Sequence, residues 1–327
     1  METVTADFVK DKKVLLRYDL DIPLENGQIT DDFRLRAGLE TLRMCLENAN
    51  QIIMMGHVGR PKGEDSSLSV APIYKWLLEN GFKTELDSQK LRLLENLRFE
   101  EGEDEADLDY AKELAALGEV YVNEAIPAYR KAASTTVLPT LMPHRAGINF
   151  AKEVAVLTKL RDNPKRPFLV IIGGAKVDEK LAMIQAMSKI ADDVLVGGKL
   201  IWESQQLKIN FPSNVMVGEL TAAGNDITPE TLEKWGKIIN QAKELFWNGP
   251  VGKTDGEGKN EAGTRKLAEM ILESEAIPIV GGGDTGEFLA RIGLRDQFMK
   301  RGSVLTGGGA SGEFLAKGTL LTIEALS

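Results

Sequence analysis

The sequence has very few of the residues that build disulfide frameworks and zinc sites. It has one cysteine, Cys45, and two histidines among 327 residues. A single cysteine excludes an internal disulfide and leaves no cysteine cluster of the kind that binds structural zinc. Because Cys45 stands among leucines and a methionine in a helical pattern, we expect it to be a buried thiol of the hydrophobic core.

An excess of basic residues and long apolar runs are also absent. The formal net charge is -9 at pH 7, whereas a general nucleic-acid binder carries clustered Lys and Arg in excess. No apolar run approaches the roughly 20 residues of a membrane span. The acidic start of the chain lacks the basic and then apolar layout of a secretory signal. We therefore expect a cytoplasmic protein with no nucleic-acid and no membrane partner.

What the sequence does have is an alternation of short apolar runs and helical patterns. Apolar residues make up 43% and charged residues 27% of the chain, which is ordinary for a globular protein, and the length favours two domains. The alternation predicts parallel sheets covered by helices on both faces, the α/β class. The predicted strands are 14–17, 52–55, 120–123, 168–172, 194–196, 215–217, 245–247, 277–280 and 304–305, and the clearest predicted helices are 32–48, 107–117 and 147–162.

The helix predicted over 147–162 indicates where the two domains join. It is followed by two prolines within the segment 163–167, which must break it. We expect a first domain at 1–146, a hinge helix at 147–163 and a second domain at 164–312, with residues from about 313 to 327 able to pack back onto the first.

Three glycine clusters follow apolar runs in the second half of the chain, at 173–174, 281–283 and 307–309. A buried strand that ends in glycines and runs into a helix presents bare N–H groups at a positive helix end, which is most often a phosphate site. One such loop can be only a tight turn. Three of them, one with Lys176 attached and two in the near-copies GGGDTGEFLA and GGGASGEFLA, indicate that this half binds phosphates at one site.

The first half carries cations after its predicted strands. They are Arg17, Arg34, His57, Arg60, Arg98 and Arg130. Ligands of open α/β sheets bind beyond the carboxyl ends of the strands, so residues far apart in sequence can converge there. A single such arginine is usually solvated surface, but the set favours a pocket that grips a multiply charged anion. A basic pocket and a phosphate-loop pocket together predict phosphoryl transfer between two anionic substrates.

Strand periodicity adds a local prediction in this first half. Residues 17, 19 and 21 alternate onto one face. We therefore expect Arg17, Asp19 and Asp21 to form a chain of charge pairs, with Arg17 as the partner of Asp21.

Seven motifs in one order make the chain resemble phosphoglycerate kinases over essentially its whole length. They are RYDLDIPL (17–24), GHVGRPKG (56–63), LLENLRF (93–99), GGAKV (173–177), WNGPVG (247–252), GGGDT (281–285) and TGGGAS (306–311). The resemblance implies two Rossmann-like domains, the first binding a triose-phosphate acid and the second a nucleotide with Mg²⁺, and closure about the hinge. It implies reversible in-line transfer between 1,3-bisphosphoglycerate with ADP and 3-phosphoglycerate with ATP in glycolysis. We expect the enzyme to be a monomer.

The resemblance also implies site residues, position by position. The substrate pocket would comprise Asp19, Asp21, Arg34, His57, Arg60, Arg98 and Arg130. The nucleotide would meet Gly174, Ala175, Lys176, Lys180, Gly198, Asn248, Pro250, Asp255, Gly283 and Thr285, with Asp284 on the magnesium. Arg34 and Lys176 would neutralise the phosphoryl group in flight, and Gly308 and Gly309 would aim N–H groups at it, in line with a reaction catalysed mainly by positioning and charge neutralisation.

The chain differs from the family pattern at positions that the resemblance assigns to substrate binding and to recognition of the nucleotide base. The departures are Asp21 for an asparagine, Tyr129 and Ala132 for histidines, Lys199 for a glycine and Asp255 for a glutamate. The chain is also several dozen residues shorter, after Gly63 and between Leu200 and Phe211. We therefore expect weak discrimination between adenine and guanine. Trp202 either packs in the core or stacks on the base.

Two alternatives stay open at this point. Residues 281–286 and 307–312 both satisfy G-x-G-x-x-G, which would suit a nicotinamide dehydrogenase. That fingerprint needs an acidic residue at the end of the next strand, where this chain has Thr306-Gly307. The second alternative is a catalytically silent relative that acts as a scaffold. Such proteins usually lose charged site residues, whereas this chain keeps Arg34, Lys176, Lys180 and Asp284.

Overall fold

The computed structural model describes residues 1–174, 177–254 and 260–327. The strands are β1 (Lys13–Arg17), β2 (Leu24–Glu25), β3 (Gln28–Ile29), β4 (Gln51–Met55), β5 (Leu91–Leu93), β6 (Val120–Asn123), β7 (His144–Ala146), β8 (Phe168–Ile172), β9 (Asp193–Val196), β10 (Val215–Val217), β11 (Glu244–Asn248), β12 (Ile277–Gly281) and β13 (Ser303–Leu305). The helices are α1 (Ala6–Val9), α2 (Phe33–Ala37), α3 (Leu39–Asn48), α4 (Ala71–Glu79), α5 (Lys83–Asp87), α6 (Glu101–Glu105), α7 (Leu108–Ala115), α8 (Ile148–Asp162), α9 (Val177–Met187), α10 (Lys199–Gln206), α11 (Pro229–Ile239), α12 (Ala262–Glu273), α13 (Gly283–Arg291), α14 (Arg295–Arg301), α15 (Gly308–Lys317) and α16 (Leu321–Ala325). Shorter turns are 3₁₀ at Ser66–Leu68, Leu97–Phe99 and Leu138–Leu141 and π at Ala133–Val137.

The chain forms two compact units. The first comprises Met1–Ala155 together with Thr319–Ser327, and the second is the continuous stretch Val156–Gly318. The boundary falls inside α8. The helix predicted over 147–162 is confirmed, since α8 spans Ile148–Asp162. In the described part of the chain, no helix combines the length and the apolar character that crossing a membrane requires.

The first unit is built on a five-stranded parallel sheet of order β5-β4-β1-β6-β7. Its core packs Leu16 of β1 and Met54 of β4 against side chains of α3 and α4 such as Leu42 and Ile73. The chain runs outward from β1 through β4 to β5 and then returns to the other side of β1 at β6. The direction therefore changes between β1 and β6, which is where open sheets place their ligands.

The second unit has a six-stranded parallel sheet of order β10-β9-β8-β11-β12-β13. Every residue of β8 and β11 is buried, because helices cover both faces of the middle of a parallel sheet. The direction of winding changes between β8 and β11. The loops after these two strands are therefore the expected ligand position in this unit. The predicted α/β class with parallel sheets is confirmed.

The helix predicted over 32–48 is wrong in one respect, because it is two helices. Gly38 separates α2 from α3 and lies directly against a buried aromatic ring. A Cβ on Gly38 would come within 2.5 Å of Tyr18 Cζ, and the Tyr18 hydroxyl donates to Leu35 O at 2.6 Å. The ring leaves no space for a side chain at position 38, and its hydroxyl takes the carbonyl of Leu35, which in a continuous helix would accept from the backbone N–H four residues on. The strands β5 and β7 and the hairpin β2–β3 were also not predicted, because each is short and contains a polar or charged residue, so that none forms a continuous apolar run.

The prediction that Cys45 is a core thiol is confirmed. Its side chain is fully buried in α3, and burial raises the pKa of the Cys45 thiol to about 12. A thiol with so high a pKa holds almost no reactive thiolate at neutral pH.

The first turn of α8 is held by a buried carboxyl group from the end of β6. Glu124 is 3% exposed and accepts hydrogen bonds from Asn149 N at 3.1 Å, Phe150 N at 3.3 Å and Thr41 Oγ1 at 3.0 Å. Burial raises the pKa of Glu124 to about 8, against the lowering effect of these hydrogen bonds and with a smaller raising effect of Glu153. The carboxyl group is therefore a protonated cap of α8 at neutral pH.

The wild-type chain is expected to lose stability as the pH rises towards 8, and replacing Glu124 with glutamine should remove that loss. In the unfolded chain the carboxyl ionises near pH 4.5, while in the folded chain it keeps its proton up to about pH 8, so raising the pH favours the unfolded state. Between about pH 6.5 and pH 8, the wild type should lose roughly 1–2 kcal/mol of unfolding free energy relative to Glu124→Gln. Urea unfolding at both pH values measures this. Glu105→Gln, an exposed change, is the control, and equal pH dependence in all three chains would contradict the prediction.

Candidate functional site

A cluster of charged side chains lies at the carboxyl ends of β1 and β4 in the first unit. We define this charged cluster as Asp19, Asp21, Arg34, His57 and Arg98. Asp19 and Asp21 follow β1, His57 follows β4, and Arg34 lies in the short helix α2. The structure thus brings together five of the seven residues predicted for the substrate pocket.

Arg34 is the cation that pairs with both carboxylates. Its Nη1 donates to Asp21 O at 2.6 Å, its Nε lies 3.8 Å from Asp19 Oδ2, and its Nη1 lies 3.9 Å from Asp21 Oδ2. The predicted pairing of Arg17 with Asp21 is wrong. The Arg17 guanidinium turns into the protein, where it donates to Tyr18 O, Ser134 Oγ and His57 Nδ1.

Asp21 is also held by the loop that follows β4. Gly59 N donates to Asp21 Oδ1 at 2.8 Å, and His57 Nε2 lies 3.8 Å from Asp21 Oδ2. Gly59 has a φ of +63°, a left-handed conformation that glycine adopts without strain. One Asp21 oxygen therefore fixes this loop, while the other faces the cations.

The two most buried members of the charged cluster have opposite pKa shifts. Burial raises the pKa of Asp19, with a smaller raising effect from Asp21, and the neighbouring Arg34 works against this. Burial lowers the pKa of His57 well below 6.5, and the positive charges of Arg17, Arg98, Arg34 and Arg60 lower it further. Both shifts favour neutral forms, and Asp19 Oδ2 is buried without a hydrogen-bond partner.

The remaining predicted arginines differ in how they are placed. Arg98 is held by Gly59 O at 2.7 Å and by Asp104 at 2.9 Å. Arg60 is exposed but close enough to lower the pKa of His57. Arg130 is exposed as well, with its guanidinium carbon 5.8 Å from the centre of the Tyr129 ring.

Sequence reasoning missed the residue that shapes the loop around Gly59. Asn96 is buried and bridges three segments, since its Nδ2 donates to Val58 O and Leu68 O, both at 2.8 Å, and its Oδ1 accepts from Arg98 N at 3.1 Å. A signal was present in the motif LLENLRF, because an amide that lies between apolar residues, Leu93 and Leu94 before it and Leu97 and Phe99 after it, must find internal partners once it is buried.

In the second unit, a cleft of about 520 Å³ opens among the glycine loops. Four residues predicted to contact a nucleotide line it, namely Gly174, Gly198, Pro250 and Asp284. The other lining residues are Lys199, Trp202, Leu220, Gly224, Asn225, Gly252, Lys253 and Thr254. Trp202 lines the cleft and, being 52% exposed, is not a core residue.

The floor of this glycine-lined cleft is backbone packed on backbone at the change of winding. Gly174 N donates to Pro250 O at 2.8 Å, and Gly198 N donates to Val251 O at 2.9 Å. Gly249 has a φ of +95°, and a Cβ there would lie 2.3 Å from Gly173 O. Only glycine permits this approach, which brings the loops after β8, β9 and β11 together.

A polar chain links the loops on the other side of the cleft. Lys180 Nζ donates to Asn248 Oδ1, and Asn248 Nδ2 donates to Gly308 O at 3.1 Å. Thr285 is fully buried, and its hydroxyl accepts a hydrogen bond from Gly249 N at 2.9 Å. Gly283, Gly308 and Gly309 lie in the first turns of α13 and α15, as the glycine clusters predict.

Three of the predicted residues, Ala175, Lys176 and Asp255, lie outside the described residues. Within residues 1–174, 177–254 and 260–327, no group of three or more His, Cys, Asp or Glu side chains could hold a metal ion. Among the described residues that line the cleft, the one carboxylate is Asp284, at the start of α13. Mg²⁺ in nucleotide sites usually takes one or two carboxylates and fills its other positions with water and phosphate oxygens, so this donor set fits a magnesium nucleotide.

The far wall of the cleft was not predicted. Asp226 Oδ1 and Oδ2 accept hydrogen bonds from Ile227 N at 2.8 Å and Gly263 N at 2.7 Å, which fixes the segment carrying Leu220 and Asn225. Gly252 has no side chain at this point, and a Cβ there would lie 2.1 Å from Asp226 Oδ1. The composition of 221–226 signals a turn but not the wall of a cleft.

Comparisons with known proteins agree on one family. A family model described as phosphoglycerate kinase matches residues 4–210 and 203–318. The phosphoglycerate kinase of Herpetosiphon aurantiacus is 34% identical over 88% of this chain and 89% of its own, and that of Thermus thermophilus is 32% identical over 97% of each.

Solved structures give the same result. The phosphoglycerate kinase structure from Coxiella burnetii has a TM-score of 0.78 and 28% identity, covering 97% of this chain and 96% of the other. The one from Pyrococcus horikoshii has a TM-score of 0.82 with 23% identity, covering 100% and 98%, and at that identity the likeness concerns the fold.

Proposed function

Since the chain belongs to the phosphoglycerate kinase family, we propose that the charged cluster of its first unit binds 3-phosphoglycerate and that the glycine-lined cleft of its second unit binds the nucleotide. The protein is a kinase of glycolysis that transfers a phosphoryl group reversibly between 1,3-bisphosphoglycerate with ADP and 3-phosphoglycerate with ATP. The observation that carries the site assignment is the convergence of the glycine loops on a cleft that Asp284 lines.

The first unit supports its part by charge and by geometry. Arg34, His57 and Arg98 converge at the end of β1 and β4, with Arg60 nearby, and an acid with a phosphate group carries several negative charges for them to meet. Guanidinium groups bind carboxylate and phosphate bidentately. Asp19 and Asp21 would hold these cations in place. Asp19 would accept a hydrogen bond from the substrate hydroxyl, and the charge of Asp21 would lie beside the anionic acid.

The second unit supports nucleotide binding by its backbone. The first turns of α13 and α15 offer N–H groups and positive helix ends to phosphates, and Lys180 brings a cation to the same edge. Gly174 and Gly198, whose own N–H groups are taken by Pro250 O and Val251 O, leave room for the phosphates because they carry no side chain. Asp284 would hold Mg²⁺, which when bound neutralises negative charge on the nucleotide phosphates. By resemblance we assign Ala175, Lys176 and Asp255 to this site as well.

A coupled assay of ATP-dependent phosphorylation of 3-phosphoglycerate tests the proposed function. Turnover that requires both substrates and Mg²⁺ supports it. Absence of turnover in a chain that still binds both substrates would instead support the silent scaffold, which no observation so far favours.

Replacing Asp21 with asparagine is expected to tighten the binding of 3-phosphoglycerate. The amide oxygen can still accept from Gly59 N, while the negative charge that faces the anionic substrate is lost. We expect the Kd to fall about threefold, and more at low ionic strength, because exposed charges are then least screened. Titration calorimetry at two salt concentrations measures this. Asp109→Asn, which removes the same charge from an exposed site, is the control, and weaker binding by Asp21→Asn would contradict the prediction.

The enzyme is expected to discriminate poorly between ATP and GTP. Trp202 offers a flat ring that stacks on either purine, and selection needs polar groups that stay unpaired with the wrong base. We expect kcat/KM values for the two nucleotides within about tenfold, or roughly 1.4 kcal/mol. Trp202→Ala should lower both values alike, and Asn225→Ala tests a polar side chain of the far wall. A preference for ATP of about a hundredfold or more would contradict the prediction.

A further inference from the structure

A buried arginine behind the charged cluster has no part in the site as assigned so far. Arg17 is 1% exposed, and each of its three nitrogens has a partner. Nη2 contacts His57 Nδ1 at 2.6 Å, Nη1 donates to Tyr18 O at 2.8 Å, and Nε donates to Ser134 Oγ at 2.9 Å. The guanidinium plane is therefore fixed along its whole edge.

The contact between Arg17 and His57 determines where the imidazole carries its proton. A guanidinium group has donors and no acceptor. Nδ1 of His57 must therefore accept, which leaves the proton on Nε2 and excludes the doubly protonated ring while the contact lasts. Nε2 lies 3.8 Å from Asp21 Oδ2, on the side of the charged cluster. His57 thus presents an N–H donor to that cluster.

Arg17 is itself held by two residues that are distant in the sequence. Ser134 Oγ accepts from Arg17 and donates to Glu103 Oε1 at 2.5 Å, while Ser134 N donates to Glu103 Oε2 at 2.9 Å. Glu103 is 1% exposed and Ser134 is fully buried. The charges of Arg17 and Glu103 thus meet at the hydroxyl of Ser134 in the protein interior. Removing either charge leaves the other buried and uncompensated.

We propose that Glu103 and Ser134 are positioning residues which, through Arg17, hold His57 as a neutral imidazole that donates from Nε2 to the bound acid. This inference rests on the proposed function in that it takes the charged cluster as the substrate site. Glu103, Ser134, Arg17 and His57 form the positioning row. It makes the grip of His57 on the substrate independent of pH in the range where a free histidine would titrate.

The charges around His57 act in the same direction. Arg17 from β1, Arg34 from α2, Arg98 from the turn after β5 and Arg60 from the loop after β4 all lower its pKa, in addition to burial. Asp21, after β1, is the carboxylate that faces it.

Nitrogen NMR of the full chain labelled with ¹⁵N-histidine tests the inference, because the chain has only two histidines. His57 should show the neutral tautomer with the proton on Nε2 and keep it as the pH falls through 6.5. His144 is an internal reference, since its Nδ1 lies 3.2 Å from Met142 O and a carbonyl only accepts, so it should carry a proton on Nδ1. His144→Gln assigns the signals. A charged His57, or one protonated on Nδ1, would overturn the inference.

Variants of the positioning row separate positioning from simple structure. Glu103→Gln keeps the shape but removes the charge, and Arg17→Lys keeps the charge but cannot donate in one plane to three acceptors. Both should give His57 mixed tautomers and a titration nearer pH 6.5, and should weaken 3-phosphoglycerate binding about tenfold. The controls are Glu105→Gln and Arg92→Met, which change exposed residues. Both should leave the His57 tautomer and the affinity for 3-phosphoglycerate unchanged. Amide spectra confirm that each variant is folded.

The failures are distinguishable. If 3-phosphoglycerate leaves the His57 signals of the unmodified chain unchanged, the substrate site is wrong and the inference falls with it. If the unmodified chain binds the acid through His57 while Glu103→Gln and Arg17→Lys keep the tautomer and the affinity, the positioning row alone is refuted.

Discussion

Arg34→Ala should lower kcat by about a hundredfold or more while changing the KM for 3-phosphoglycerate much less. An interaction made chiefly in the transition state affects kcat and kcat/KM together, and losing one preorganised donor to developing charge removes about 10²–10³ in rate. Arg34 suits this role because its guanidinium is only partly exposed and is held by Asp21 O and by the carboxylates of Asp19 and Asp21. Such fixation before substrate arrives is what makes a cation effective without reorganisation. By resemblance we expect Lys176→Ala to behave in the same way.

The control for this experiment is on the same helix. Arg36 carries the same charge but pairs with Asp32 at 2.7 Å and lies 5.7 Å from the Trp76 ring, so Arg36→Ala should leave kcat nearly unchanged. Arg34→Lys shows whether charge alone is enough. Steady-state kinetics with each substrate varied gives both constants. A raised KM with near-normal kcat in Arg34→Ala would assign Arg34 to ground-state binding and refute the catalytic role.

Gly308→Ala should destabilise the second unit by about 2–4 kcal/mol and reduce turnover severely. A Cβ on Gly308 would lie 2.2 Å from Gly282 Cα, and because both atoms belong to backbone, no change of rotamer relieves the clash. The two near-copy loops must move apart. Gly308 O would then leave Asn248 Nδ2, and Asn248 in turn holds Lys180. One methyl group therefore disturbs the N–H groups and the cation that we assign to the phosphates.

Gly286→Ala is the matched control, since it adds the same methyl group to the neighbouring helix α13. A Cβ there would meet Val304 Cγ1 at 3.6 Å, an ordinary contact, and alanine favours helix over glycine by about 0.5–1 kcal/mol. We expect this variant to be as stable as the wild type or slightly more so. Thermal unfolding and activity are measured on both chains. Wild-type stability and turnover in Gly308→Ala would show that the loops tolerate separation.

The sequence was most informative about the fold wherever an apolar run was long enough to be buried on both faces. The strands at 120–123 and 168–172 were predicted to the residue, since a short apolar run between helices is typical of a buried strand of a parallel sheet. The split of the helix at Gly38 was not predictable, because the Tyr18 hydroxyl that takes the Leu35 carbonyl comes from a residue outside the helix. Short strands such as β5 and β7 were missed for a similar reason, since they form by pairing with β4 and β6 and not because of an apolar run of their own.

In the site, sequence patterns identified which residue types gather but not how they pair. Glycine clusters identify close backbone approaches, so the loops at Gly174 and Gly282 were expected. Arg17 was assigned to Asp21 from strand periodicity, whereas the structure turns it inward to His57 and Ser134. Periodicity gives the face of a residue, but a long flexible side chain can reach another face when a buried carboxyl group such as Glu103 lies behind it.

The last nine residues have a consequence for how the protein is made. Thr319–Ser327 belong to the first unit, bury Leu320, Thr322 and Leu326, and place α16 against the turn at Ala133–Val137 that carries Ser134. The second unit, by contrast, is one uninterrupted stretch and can fold as soon as it leaves the ribosome. The first unit, although most of it is synthesised first, is completed only when Thr319–Ser327 have followed the second unit. We therefore expect the second unit to be able to complete its fold during synthesis before the first unit does.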